Sequence, residues 1–352
     1  MKPAVLHVIS STQRRGAETF ACQLSEAFQQ LGHRSDVVAL VGSKTDEPLD
    51  VAALGADRRH PGTLRELRCR ARDADVVIAH GGATLEACAL GLAGTGTPFI
   101  YRVISDPRYW IDSRAKRLVL SRLHRRADHH VVLAELIIPF LVDRVGVRAE
   151  RISVIPNGVP ADRFPRAIRE QKVQSREKLG VPVGERVVAF VGALSPEKDV
   201  GAALDLVAAR QELHLLIAGS GPQQPLVQAA QRTHAGERIH YLGARSDVWT
   251  VYAAADVLLL PSRTEMMPAA AIEAAMVGTA ILACDVGALD EMVANGLPAV
   301  LVPSACSSDL NIGIERVFAL LDMGMLDFSE VMGTYELGGV AELWSQLASS
   351  LG

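Results

Sequence analysis

Apolar residues in this chain fall into short unbroken runs separated by stretches of helical periodicity. That alternation predicts parallel sheets buried on both faces. Ala4–Ser10 (AVLHVIS) reads as a first strand, Ser11–Glu18 (STQRRGAE) as the loop beyond it, and Thr19–Leu31 as a helix that Gly32 ends. Ser35–Leu40 follows as a second strand and completes a βαβ unit, the start of a doubly wound sheet. Asp75–His80 and Pro98–Val103 are further buried strands, with Gly81 and Gly82 behind the first of them. HHVVLAEL after Asp128 is a strand leading into a helix, Ile152–Ile155 is the last strand of this half, and Pro156-Asn157-Gly158 is turn chemistry.

The pattern then starts again. Ala161 to Glu185 is polar and basic, a linker with a lead-in helix. Val187–Val191, Leu213–Ala218, Ile239–Gly243, Val257–Leu260, Ala280–Cys284 and Ala299–Val302 are strands, with Ser246–Asp256 a helix among them. A chain of 352 residues suits two domains rather than one. The boundaries expected are 1–158 and 159–339, with a terminal helix from about 340 to 352 packing back on the first domain, within the usual uncertainty of element ends.

Chemistry concentrates in Pro261 to Gly278, PSRTEMMPAAAIEAAMVG. The run Val257 to Leu260 has no solvent face, so it enters a loop carrying Glu265 from a buried strand. Pro268 is tolerated in the first turn of the helix that follows, and that helix carries Glu273. Its N-terminus presents free N–H groups and partial positive charge, which suits a phosphate. Two carboxylates eight positions apart can flank that phosphate and accept hydrogen bonds from sugar hydroxyls. This is a nucleotide-sugar site in outline.

Glu265 and Glu273, with Pro268 between them and Ala274, Ala275, Met276 and Gly278 after, resemble the E-x7-E signature of family 4 glycosyltransferases. The resemblance runs from about residue 4 to about 345, on the same boundary uncertainty. It implies an α/β protein of GT-B fold, two Rossmann-like domains facing across a cleft, and transfer of a sugar with retention of configuration. Glu265 would then hold donor-sugar hydroxyls, Glu273 the ribose and Lys198 the diphosphate. Gly16, Gly192, Gly219, Ala244, Met266, Met267 and Pro268 would complete the donor side. IPNGV at 155–159 resembles the family's entry to the linker, and Gly219-Ser220-Gly221-Pro222 its AGxGP loop.

Three departures stand out. Relatives carry a Gly-Gly pair where this chain has Arg15-Gly16, and an Arg where it has Ala193; the tail around Phe328-Ser329 and Gly338-Gly339 is only an echo. A leaving diphosphate gathers negative charge, so loss of one fixed cation costs a few kcal/mol unless something replaces it. Arg14, Arg15, Arg245 and Arg263 are the replacements to consider. On the acceptor side, strand ends point to Arg15, His80, Ser105 and Asp106, with a core or capping role for His80 equally open. Asp106 is also a catalytic candidate, because relatives place an Asp or a His on that loop.

Composition narrows the field further. Nearly half the residues are apolar and the net charge is −4, which gives no argument for nucleic acid. Five scattered cysteines without metal spacing fit reduced thiols in a cytoplasmic protein. Neither a signal peptide nor a membrane span is expected, and neither is a metal or resident cofactor. Trp110 to Arg126 carries six cations against Asp112, with Ile111, Ala115, Leu118, Val119 and Leu123 at helical spacing. A packed helix with a solvated cationic face is preferred there to contact with a membrane surface. The co-substrate expected is a UDP-sugar before a GDP-sugar; the acceptor and the oligomeric state stay open. The alternatives are a nucleotide-sugar epimerase of the same fold, or a non-catalytic, partner-dependent binding subunit.

Overall fold

A computed structural model describes residues 2–43, 48–109, 113–233 and 235–352. They divide into two units: residues up to Gly158 together with Leu337–Gly352, and Val159–Glu336. Both are built on wholly parallel sheets covered by helices.

The first unit contains β1 (Val5–Ser11), β2 (Ser35–Val41), β3 (Ala52–Gly55), β4 (Val76–His80), β5 (Phe99–Val103), β6 (His129–Val132) and β7 (Ile152–Val154). Their order is β3-β2-β1-β4-β5-β6-β7, so the chain reverses its direction of travel between β1 and β4. Four helices of this unit matter below: α1 (Gly16–Gln30), α2 (Pro61–Ala71), α3 (Gly82–Gly91) and α4 (Arg114–His124). Helix α1 starts three residues earlier than the apolar period suggests. Gly16 and Ala17 join its first turn, and Glu18 is the acid that favours a helix start. Trp110 to Asp112, part of the basic stretch, lie outside the described residues.

The last helix, Leu337–Leu351, belongs to this unit, and Trp344 is fully buried in a core with Phe20, Leu24, Phe28, Ile78 and Ile100. It begins at Leu337 and runs through Gly338-Gly339. Two helical glycines cost about 2 kcal/mol, which burial of Leu337, Val340 and Trp344 outweighs.

The second unit contains β8 (Arg186–Val191), β9 (Leu213–Ala218), β10 (Ile239–Gly243), β11 (Val257–Leu260), β12 (Ala280–Cys284) and β13 (Ala299–Val302). Their order is β10-β9-β8-β11-β12-β13. Strands β8 and β11 are neighbours, with Val257 opposite Val188, and the strand order reverses between them. Val188, Leu215, Ile217, Leu259 and Leu282 form an apolar core without solvent exposure. In open α/β sheets ligands bind beyond the strand ends at such a reversal, so the loops after β8 and β11 are where a site belongs.

Candidate functional site

Those two loops meet. Lys198 Nζ lies 2.5 Å from Glu265 Oε1, and the Ser262 hydroxyl donates to the same oxygen at 2.8 Å. The Glu265 side chain is 7% exposed and Lys198 31%, so a nearly buried carboxylate is held by a cation that still reaches solvent. One residue on, Asp199 has φ 51°; among the described residues no other non-glycine has positive φ. Such backbone is strained, and it persists where neighbours enforce it. Here Arg263 does so: its Nε lies 3.0 Å from Asp199 Oδ2, and its backbone N–H donates to Glu197 O at 2.8 Å.

The glycines of this region do two different jobs. A Cβ on Gly219 would sit 1.8 Å from Gly192 O, and one on Gly221 would sit 2.5 Å from Leu194 O. Gly219 and Gly221 therefore let the loops after β8 and β9 pack backbone on backbone. Gly192 has open space where its own Cβ would be, as has Gly16 in the first unit. These two leave backbone accessible. Gly287 braces the Glu265 loop from behind, with Ala288 N–H donating to Met266 O at 3.0 Å.

Pro268 occupies the N-cap of the helix Ala269–Val277, one position before its first turn, and no side chain caps that helix. Its first N–H groups consequently have no side-chain acceptor, as an anion site requires. Met266, Met267 and Pro268 are buried behind it. Glu273, half-buried, accepts from the Tyr252 hydroxyl at 2.7 Å. Burial raises its pKa, opposed by that hydrogen bond and by Arg163. Sequence reasoning missed Tyr252; a tyrosine on a helix facing the core needs a polar partner, and that was the available signal. Ala244 is exposed just past β10. Arg245 is tied to Asp247 by contacts of 2.8 and 2.6 Å, which weakens its claim to replace the cation missing at Ala193.

In the first unit the expected acceptor-side residues separate. Arg14 and Arg15 are exposed at the start of α1, and Ser105 is exposed after β5. His80 belongs to the core: it is 2% exposed, its Nε2 lies 3.0 Å from His7 Nδ1, and Arg102 approaches its other nitrogen at 3.4 Å. Burial, then His7 and Arg102, push its pKa well below the usual histidine value, so it stays neutral. Asp106 is committed as well. It accepts Arg108 N–H at 2.8 Å and pairs with the Arg108 guanidinium at 2.6 Å. A carboxylate so engaged is a turn cap rather than a free base, because abstracting a proton would cost it the ion pair. Among the described residues no group of three or more His, Cys, Asp or Glu side chains is placed to hold a metal ion.

Two family models match the chain: Glycosyltransferase Family 4 over residues 14–163 and Glycosyl transferases group 1 over residues 171–322. The chain is a member of the family 4 glycosyltransferases. It is 32% identical over 205 residues to the D-inositol 3-phosphate glycosyltransferase of Corynebacterium glutamicum, covering 54% of this chain and 49% of that one. To the enzyme of the same name from Mycolicibacterium smegmatis it is 34% identical over 184 residues, covering 50% and 42%. The chain thus spans about half the length of these curated relatives. Among solved structures it resembles Anabaena HepE in complex with UDP and glucose, with a TM-score of 0.83 at 19% identity, covering 99% of this chain and 100% of that one. It also resembles sucrose-phosphate synthase from Thermosynechococcus elongatus, with a TM-score of 0.81 at 19% identity over 99% of both chains. The fold is GT-B.

Proposed function

We propose that the protein transfers a sugar from a nucleoside diphosphate donor, a UDP-sugar first, to an acceptor hydroxyl with retention at the anomeric carbon. The observation that carries this reading is the Lys198–Glu265 pair at the strand-order reversal. On donor binding the diphosphate takes over the Lys198 ammonium, and Glu265, released from its cation, accepts hydrogen bonds from the sugar hydroxyls. Each partner exchanges one charge-assisted contact for another, so the buried carboxylate is not left unpaired. Glu273 receives the ribose beside Tyr252, and the uncapped N-terminus of Ala269–Val277 meets phosphate oxygens. As the glycosidic bond breaks, Lys198 and these N–H groups stabilise the charge that develops on the leaving diphosphate. The leaving phosphate oxygen takes the acceptor proton on the same face, in keeping with the family resemblance.

Arg263 is the first choice to replace the cation lost at Ala193. It stands on the same loop pair as Lys198, and its ion pair with Asp199 leaves its side chain 69% exposed, against 21% for Arg245. The curated relatives make inositol 3-phosphate the first acceptor to try. The test is release of nucleoside diphosphate from UDP- and GDP-sugars, with and without that acceptor and a wider panel, and assignment of the product anomer by NMR. Donor binding with no release in any arm favours the non-catalytic reading that Ala193 motivates. Sugar interconversion without acceptor favours the epimerase.

A further inference from the structure

Glu273 has two carboxylate oxygens, and the protein uses one of them. The Tyr252 hydroxyl donates to Oε2 at 2.7 Å; among the described residues no hydrogen bond engages Oε1. Tyr252 lies on the helix Val248–Ala254 and is fully buried, its ring packed on Phe164 with centroids 6.2 Å apart. The Thr279 hydroxyl donates to its backbone carbonyl at 2.8 Å, so ring and main chain are both held. The segment carrying Phe164 is fixed in turn, since Trp249 Nε1 donates to Pro165 O at 2.8 Å. Burial and the neighbouring carboxylate push the Tyr252 pKa well above the usual tyrosine value, so the hydroxyl keeps its proton and donates. A buried phenol needs an acceptor, but a carbonyl or a hydroxyl would serve it, whereas a carboxylate taken from water costs desolvation. Burial does raise the Glu273 pKa, and Tyr252 and Arg163 oppose that rise. The tyrosine therefore serves the acid, not the acid the tyrosine.

We propose that Tyr252 is a positioning residue for donor recognition: by occupying Oε2 it fixes the Glu273 carboxylate so that Oε1 accepts from the ribose hydroxyls of the nucleotide. This rests on the sugar-transfer reading, in which Glu273 receives the ribose. A glutamate free to rotate would lose that freedom on binding. One already tied at Oε2 has lost it on folding, so the nucleotide meets an acceptor set in place beforehand. Three segments distant in sequence converge on the bond: Arg163–Pro165, the helix Val248–Ala254 and the helix Ala269–Val277. The ribose lies away from the bond that breaks, so what Tyr252 contributes is binding common to ground state and transition state. Its loss raises KM and leaves kcat in place.

The experiment is calorimetric titration of the full chain and of Tyr252→Phe, which keeps the ring and its packing. The ligands are UDP and dideoxyuridine diphosphate, which lacks both ribose hydroxyls, with the guanosine pair run in parallel. Tyr252→Phe is expected to weaken UDP binding about tenfold, the share of one hydrogen bond to a charged group, and binding of the dideoxy form by less than about twofold. Donor KM should rise by the same factor as the UDP dissociation constant, with kcat held. In a Glu273→Ala background Tyr252→Phe is expected to change neither affinity, because it acts through that carboxylate. Unchanged UDP affinity in the single variant overturns the proposal. Equal weakening of both ligands, or a further loss in the Glu273→Ala background, overturns it as well and gives Tyr252 a structural role alone. Failure of the unaltered protein to bind UDP or GDP would instead sink the sugar-transfer reading, and the proposal with it.

Discussion

In the second unit β11 (VLLL) and β12 (AILAC) are apolar throughout, and charge begins where the strands stop, with Lys198, Asp199, Arg263 and Glu265. In the first unit polar groups run inside the sheet. His7 on β1, His80 on β4 and Arg102 on β5 lie side by side without solvent. Arg102 donates to Asn157 and stacks 3.9 Å over the Phe20 ring, while Glu18 accepts from Ser10 at 2.5 Å. Burial lowers the Arg102 pKa to about 9, against the pull of Glu18. The two units thus use the same residue types for opposite ends. On the proposed reading, charges at strand ends, partly solvated, serve the chemistry. Polar groups in mid-sheet that bond mostly to one another, with His7 Nε2 and Arg102 Nε left over, are architecture, and their removal is felt in stability.

That contrast can be broken most directly at Lys198. Lys198→Ala is expected to lower nucleoside diphosphate release about a hundred- to a thousandfold, while urea denaturation loses about 1–3 kcal/mol, since Glu265 gives up its cation and keeps only the Ser262 hydroxyl. A loss within tenfold would remove Lys198 from the chemistry. Arg102→Ala should do the reverse. Leaving His80 and Asn157 without their buried partner is expected to cost about 3–5 kcal/mol in urea denaturation, and Arg102→Met less. A smaller sharpening comes from the glycines. Gly219→Ala is expected to cost about 3 kcal/mol, through its clash with Gly192 O and its left-handed φ. Gly16→Ala, facing open space, should shift stability by less than about 1 kcal/mol and slow transfer.

The mildest test is acid. Burial holds His7 and His130 down at about 3 and His124 at about 4, against 6.5 in the unfolded chain. Between those values the unfolded chain binds more protons, so the stabilisation is full above about pH 6.5 and is lost as pH falls toward 4. From pH 7 to pH 6 the loss is about 0.7 kcal/mol for each of the three. All three lie in the first unit; in the second, His214 and His240 are only partly buried. In chains that keep a single tryptophan, the urea midpoint reported by Trp344 should therefore fall further from pH 7 to pH 6 than that reported by Trp249. The opposite order would remove the distinction.

The sheets were legible because buried parallel strands leave uninterrupted apolar runs, and Glu265 and Glu273 because their spacing survives in the linear chain. What escaped has a physical reason in each case. Strand β3 is a four-residue edge strand with Ala52 and Ala53 exposed, so no apolar run marks it. Helix α3 hides behind Gly81-Gly82, which reads as a turn; Gly81 at φ 88° is in fact its N-cap, and the Thr84 hydroxyl donates back to Gly81 O at 2.7 Å. His80 stayed open between strand-end ligand and core residue because its partner His7 lies 73 residues away. Helix α4 (Arg114–His124) keeps Lys116 and Arg122 in solvent as expected, but Leu118 and Val119 stand there too, because apolar spacing tells which residues share a face, not which way that face turns.

The place of Trp344 bears on how the protein is made. Its ring fills the core of a unit whose other residues leave the ribosome first, with the whole of Val159–Glu336 synthesised in between. At ordinary elongation rates of about 5–20 residues per second that interval lasts on the order of ten to forty seconds. Throughout it the early strands wait with an open apolar hollow, so the second unit is complete before the first can close, and a nascent chain stalled before Leu337 is a natural client for chaperones.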